Sequence, residues 1–271
     1  MTSSLFHRIA RSSAKLRCLH KWRSRMRLPP VARLLSVLPA LGILCSVGGA
    51  PAGWAGTWQV ILVAGDDAQP VFDNAARELS RRLLAAGVPS SNIRRLSASN
   101  PELASGIESA TAEHVLRRIT ELPARPGDEC LIFLTSHGER GSGLWLARSD
   151  RALTPEELAR ALSHGCASVP TVVIISACYS GSFTTGHMIK PNRVILTAAR
   201  GDRPSFGCQA HRTYNFFDEC LLDALPQTGT WRLVFQGASG CVRRMEHALG
   251  AQPSEPQAYF GGTVGALRVG F

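Results

Sequence analysis

Two residue types that together make a nucleophile and its base occupy matching positions. One apolar run, Cys130–Thr135 (CLIFLT), stops at Ser136-His137-Gly138, and a second, Thr171–Ser176 (TVVIIS), stops at Ala177-Cys178-Tyr179-Ser180-Gly181. A cysteine attacks a carbonyl as its thiolate, and a nearby histidine supplies the base and stabilises that anion. A glycine at 138 frees the backbone to approach a substrate, and its N–H together with that of Cys178 suits an oxyanion. Gly181 permits a tight turn past the nucleophile. The chain has no G-x-S-x-G elbow, G-x-G-x-x-G fingerprint, phosphate loop or H-E-x-x-H pair, so serine-hydrolase, dinucleotide, nucleotide and zinc-protease chemistries lose support.

The elements that must position these residues alternate along the chain. Strands are expected at Thr57–Ala64, Ile93–Leu96, Cys130–Thr135, Thr171–Ser176 and Arg193–Ala199, with a last extended segment near Gln257–Phe260. Helical spacing predicts helices over Pro70–Ala86, Ile107–Leu122, Thr154–Ser163, Thr213–Ala224 and Thr230–Leu249. Strands of continuous Val, Ile and Leu alternating with helices imply one α/β domain with a mostly parallel sheet and helices on both faces. Ligands of such sheets bind beyond the carboxyl ends of the strands. His137 and Cys178 stand at two of those ends, far enough apart in sequence for one helical crossover between neighbouring strands.

Charge and hydropathy separate an N-terminal segment from the rest. The chain has 271 residues, 45% of them hydrophobic, and a formal charge of +10. Residues 1–52 hold nine of the 30 Lys and Arg residues and no acid, leaving 21 basic against 20 acidic residues afterwards. That near-neutral body excludes a basic footprint for nucleic acid. The basic stretch, the apolar run Leu34–Val47 and Ala50-Pro51-Ala52 have the layout of a secretory signal peptide, with residues 53–271 as the mature domain. A start at Met26 gives a leader of ordinary proportions. The expected destination is the periplasm or the exterior; the other reading is a membrane anchor over residues 34–58. Of six cysteines after residue 52, Cys130, Cys220 and Cys241 read as small buried hydrophobes, and no spacing resembles a disulfide scaffold or zinc knuckle.

With these motifs in this order, the sequence resembles the legumain-like (asparaginyl endopeptidase) cysteine peptidases of the caspase-like group. The resemblance rests on VILVAGDD at the first strand, SHG, SACYSGS, VILTAA, SFGC at 205–208 and SEPQAYFGG at 254–262. It implies a caspase-like three-layer sandwich and a peptide or protein substrate. It further implies a His137/Cys178 dyad with Gly138 in the oxyanion hole, and no metal or organic cofactor. Asp218 and Ser205 fall where the family lines its pocket for the substrate side chain, and Ser176 replaces an acidic pocket residue. Val71-Phe72 stands where a basic pair would be. A pocket keeping one carboxylate without a guanidinium is expected to accept a basic side chain better than an acidic one. Asp66 or Asp67 is expected to orient the histidine, with helix N-capping as the other reading of both. The implied activity is hydrolysis through a thioester. Transpeptidation by the same dyad, and a non-catalytic peptide-binding envelope protein, are the alternatives.

Overall fold

Side chains that are apolar on both faces of a strand require cover from both sides, and each apolar run receives it. The computed structural model describes residues 56–225 and 229–271. In it β1 (Trp58–Ala64) leads through α1 (Val71–Ala85) to β2 (Ile93–Ser97), then α2 (Asn100–Ala104), β3 (Glu108–Ser109) and α3 (Ala112–Thr120). β4 (Glu129–Thr135) is followed by a hairpin-like excursion, β5 (Gly138–Glu139), β6 (Gly143–Leu146) and β7 (Arg151–Leu153), before α4 (Pro155–Gly165). β8 (Thr171–Ser176), β9 (Arg193–Thr197), α5 (Phe216–Ala224), α6 (Trp231–Ala248) and β10 (Gln257–Phe260) complete the domain.

The main sheet has the order β10-β9-β8-β4-β1-β2-β3, parallel except for β10, and β5-β6-β7 form a small antiparallel sheet. Alternation along β1 shows the three layers directly. Val60, Leu62 and Ala64 pack with Phe72 and Leu79 of α1, Leu221 of α5 and Trp231 of α6. Ile61 and Val63 point the other way, toward Val115 and Ile119 of α3 and Leu158 and Leu162 of α4. The mostly parallel α/β sandwich expected from the sequence is therefore the observed architecture.

Several boundaries differ from the sequence expectation. The helix expected from Ile107 begins at Ala112, because Glu108 and Ser109 pair with Leu96 and Ser97 and Thr111 then caps the helix by accepting from His114 N–H. The short strands β5–β7 and the helix α2 were not expected, since segments this short carry no periodicity. The expected signal peptide, including Leu34–Val47, lies outside the described residues. Among the described residues no helix is long and apolar enough to cross a membrane.

The reading of three cysteines as plain hydrophobes is overturned. Cys130 bridges Cys166, and Cys220 bridges Cys241, leaving Cys178 and Cys208 as free thiols. The first bridge ties the start of β4 to the end of α4, and the second ties α5 to α6. They close intervals of 36 and 21 residues, which on chain-entropy grounds stabilises the fold by about 3 kcal/mol each. Replacing either pair by alanine is expected to lower the melting temperature without reductant and to reduce the further loss caused by reductant by about half. Melting curves with and without dithiothreitol test this; identical curves for wild type and the double-alanine variants would exclude both bridges.

Candidate active site

The site is assembled by strand register. β4 and β8 are parallel neighbours with their last residues, Thr135 and Ser176, directly opposite. His137 and Cys178 each follow two residues later, so the two loops leave the sheet side by side. Ser136 N–H donates to Ser176 O at 3.1 Å, extending the ladder past the strand ends. Contact then becomes so close that a Cβ on Gly138 would lie 1.9 Å from the carbonyl oxygen of Cys178. Only glycine fits there. Trp145 N–H donates to His137 O at 3.0 Å, so by the alternation of an antiparallel ladder the amide of Gly138 faces the free edge of β5.

The nucleophile loop is held in a conformation a side chain rarely adopts. Tyr179 has φ 58°, in the left-handed region, where non-glycine residues are strained. Its N–H donates to Arg203 O at 2.9 Å, and Ser180 Oγ accepts from Ala199 N–H at 3.2 Å. The 199–205 segment at the other end of these bonds is clamped in turn. Arg200 N–H donates to Ser254 O, Arg203 donates to Pro253 O, and Glu255 forms ion pairs with Arg200 at 2.6 Å and Arg203 at 3.3 Å. The SEP motif near the C-terminus thus supports the nucleophile loop at one remove.

Around Cys178 the polar contacts come from Ser205. Its N–H lies 3.3 Å from Sγ and its hydroxyl 3.6 Å, both able to stabilise negative charge on sulfur. Cys208, three residues on, behaves differently: burial, with Cys178, Asp218 and Asp66 adding to it, pushes its thiol up to about 12. It stays protonated at neutral pH and is a poor nucleophile.

His137 is oriented by an apolar neighbour. Phe72, buried in α1, meets the imidazole edge-to-face with ring centroids 5.2 Å apart. The position singled out in the sequence for lacking a basic residue therefore forms a wall of the histidine. The expectation that Asp66 or Asp67 orients His137 is not met in this structure. Asp66 accepts from Ala68 N–H at 2.7 Å, closing the turn before α1, and Asp67 is exposed. Among the described residues no carboxylate forms an ion pair with His137.

Ser176 and Asp218, expected to line the pocket, are enclosed beneath it at 2% and 0% exposure. Asp218 Oδ2 accepts from Thr135 Oγ1 at 2.7 Å and from Asn215 Nδ2 at 2.6 Å. Asn215 Nδ2 also donates to Ser176 Oγ at 3.2 Å, while its Oδ1 caps α5 by accepting from Asp218 N–H at 2.8 Å. Ser176 and Asp218 are enclosed within this network, where Asp218 Oδ1 alone lacks a hydrogen-bond partner, and of the three expected pocket residues only Ser205 contacts Cys178 Sγ. Asn215 and Thr135 went unnoticed in the sequence, although Asn215 three residues before Asp218 is a helix-start signal.

Burial drives the Asp218 carboxyl up to about 7, against the lowering effect of the hydrogen bonds from Thr135, Ser176 and Asn215. A carboxyl that is largely protonated at mildly acidic pH gives little attraction to a cation, so the expected preference for a basic substrate side chain loses its electrostatic ground. The raised value has a stability consequence. From about pH 4 the unfolded chain releases this proton while the folded one keeps it, so stability falls as pH rises until the folded group titrates near 7. An amide oxygen in the place of Oδ2 keeps both accepted bonds. Asp218→Asn is thus expected to fold and to lose less melting temperature than wild type between pH 5 and pH 8; equal losses in the two proteins would contradict this assignment.

Comparison with known proteins agrees with this geometry. Residues 111–229, which span both loops and the buried network, match the Peptidase C13 family. No curated protein matches the chain. Among solved structures, caspase-1 from Spodoptera frugiperda superposes with a TM-score of 0.51 at 16% identity, covering 76% of this chain and 86% of that one. At that identity the likeness speaks for the fold. The family match over residues 111–229 and the caspase-like fold together support a cysteine-type endopeptidase.

Proposed function

We propose that peptide-bond hydrolysis runs through a Cys178/His137 dyad and a thioester acyl-enzyme. The observation that carries this reading is the register that sets both side chains two residues beyond paired strand ends, with Gly138 against the Cys178 backbone. Cys178 Sγ attacks the scissile carbonyl as thiolate, and the thiol proton resides on His137. The tetrahedral oxyanion is stabilised by the N–H groups of Gly138 and Cys178. His137 protonates the leaving amine, and water then releases the acyl group with the imidazole as base. Ser205 N–H and hydroxyl support the thiolate between turnovers. A peptide amine in place of that water would give transpeptidation, which product analysis with and without an added amine separates from hydrolysis.

Export of the mature domain is part of the same proposal. It is supported by the layout of residues 1–52 and by the two disulfides, which persist in oxidising compartments.

Cys178→Ala and His137→Ala are each expected to abolish peptidase activity while leaving the melting temperature within a few degrees of wild type. Neither side chain is part of the buried core. Cys208→Ala is expected to retain activity, and a thiol-reactive peptide electrophile is expected to label Cys178 ahead of Cys208. Undiminished turnover by Cys178→Ala would end the dyad proposal. For export, N-terminal sequencing of the protein from the cell envelope is expected to begin between Gly53 and Gly56. An intact Met1 or Met26 on membrane-bound protein would show an anchor instead.

A further inference from the structure

The segment that leaves His137 builds one wall of a cavity that the reaction described above does not use. Its volume is about 670 Å3. Glu139, Ser142 and the half-buried Trp145 come from the chain immediately beyond the histidine, and Ser182 comes from the turn just beyond Cys178. Asp150, at the turn between β6 and β7, and Glu156, in the first turn of α4, complete its acidic lining. The cavity is therefore continuous by chain with both halves of the proposed dyad.

Its charge is one-sided. Glu139, Asp150 and Glu156 are exposed, and none is in an ion pair among the described residues. The single arginine of the lining, Arg151, is already engaged by carboxylates outside it, Glu157 at 3.1 Å and Glu113 at 3.7 Å. Arg140, which follows Glu139, is turned elsewhere: it donates to Asp202 O and stacks 5.5 Å from the Tyr179 ring centroid. Among the described residues no three His, Cys, Asp or Glu side chains are grouped to hold a metal ion. Three carboxylates and one indole line the same cavity, a combination that suits a long side chain ending in a cation. The indole of Trp145 offers such a cation an aromatic face.

Direction follows from the chemistry. The imidazole that protonates the leaving amine must stand on the leaving side of the scissile bond, so the C-terminal half of the substrate departs past His137. We infer that this cavity is the subsite for that half, and that it selects a lysine or arginine within the first three residues after the cut. The inference rests on the dyad proposal above. It assigns Glu139 and Asp150 as specificity residues, with Trp145 as the apolar platform.

The test uses the mature chain and two substrate sets sharing one N-terminal half, chosen from a peptide library. One set ends in an aminocoumarin leaving group, which places no residue in the cavity. The other consists of quenched peptides with Lys, Ser or Glu at each of the first three positions after the cut. At one of these positions kcat/KM is expected to be about tenfold higher for Lys than for Ser, and lower still for Glu. The Lys preference is expected to shrink as salt rises from about 50 mM to about 500 mM. In the double variant Glu139→Gln, Asp150→Asn, with each rate referred to that variant's own aminocoumarin turnover, the Lys-to-Ser ratio is expected to approach one. Where turnover is too slow to measure, the same ratio is read as binding of leaving-half peptides to the Cys178→Ala protein. Equal values for Lys, Ser and Glu in wild type, or a Lys preference that survives the double variant, would overturn the subsite. Aminocoumarin turnover that persists in Cys178→Ala would instead overturn the dyad, so the two failures are distinguishable.

Discussion

The pairing of β4 with β8, with Thr135 opposite Ser176, is the constraint on which the rest of the site depends. Parallel strands in this register deliver two loops to one edge of the sheet at the same height, and a one-residue slip would turn every side chain to the wrong face. The cost of bringing two backbones that close falls on position 138, where a Cβ would collide with a carbonyl oxygen. Apolar cover on both faces, from α1, α5 and α6 on one side and α3 and α4 on the other, keeps that register in place.

Directly beneath the loops the fold keeps a polar network where an apolar core would be simpler to build. Thr135 and Ser176 end the two strands, and Asn215 and Asp218 open α5, so the network joins the edge of the sheet that carries His137 and Cys178 to a covering helix. Buried groups of this kind are costly unless bonded, and here all but one oxygen of Asp218 is satisfied. Strain at Tyr179 is sustained from the other side, through Arg203 and the Glu255 ion pairs. The nucleophile loop is thus held between a buried network and a surface clamp.

Much of this was legible in the sequence because it depends on local pattern. Continuous Val, Ile and Leu runs can only be buried strands, and residues at the ends of such runs emerge at the same edge of a parallel sheet. The expectation that His137, Gly138 and Cys178 leave the sheet side by side rests on that pattern, and the β4–β8 register agrees with it. The pocket was not legible in the same way. A carboxylate at 218 looks the same in sequence whether it lines an open pocket or lies enclosed beneath one. Its burial depends on how α5 packs against β4 and β8, which no spacing records. Phe72 presented itself as a missing base, and only packing shows it edge-on to the imidazole.

The cysteines divide along the same line. Composition alone set their number, and the motif around Cys178 is the ground for the role proposed for it. Which of the others are bridged depends on distances between elements far apart in the chain: the start of β4 with the end of α4, and α5 with α6. The sequence by itself determined the alternation of strands and helices, the near-neutral domain after a basic N-terminal segment, and the residues at the strand ends, since each follows from periodicity, charge and backbone freedom within a short window. Tertiary structure decided which side chains meet: the bridged thiols, the enclosed Asp218, and the cavity lined by Glu139, Asp150 and Glu156. Those contacts join residues tens of positions apart, and only the folded geometry brings them within reach of one another.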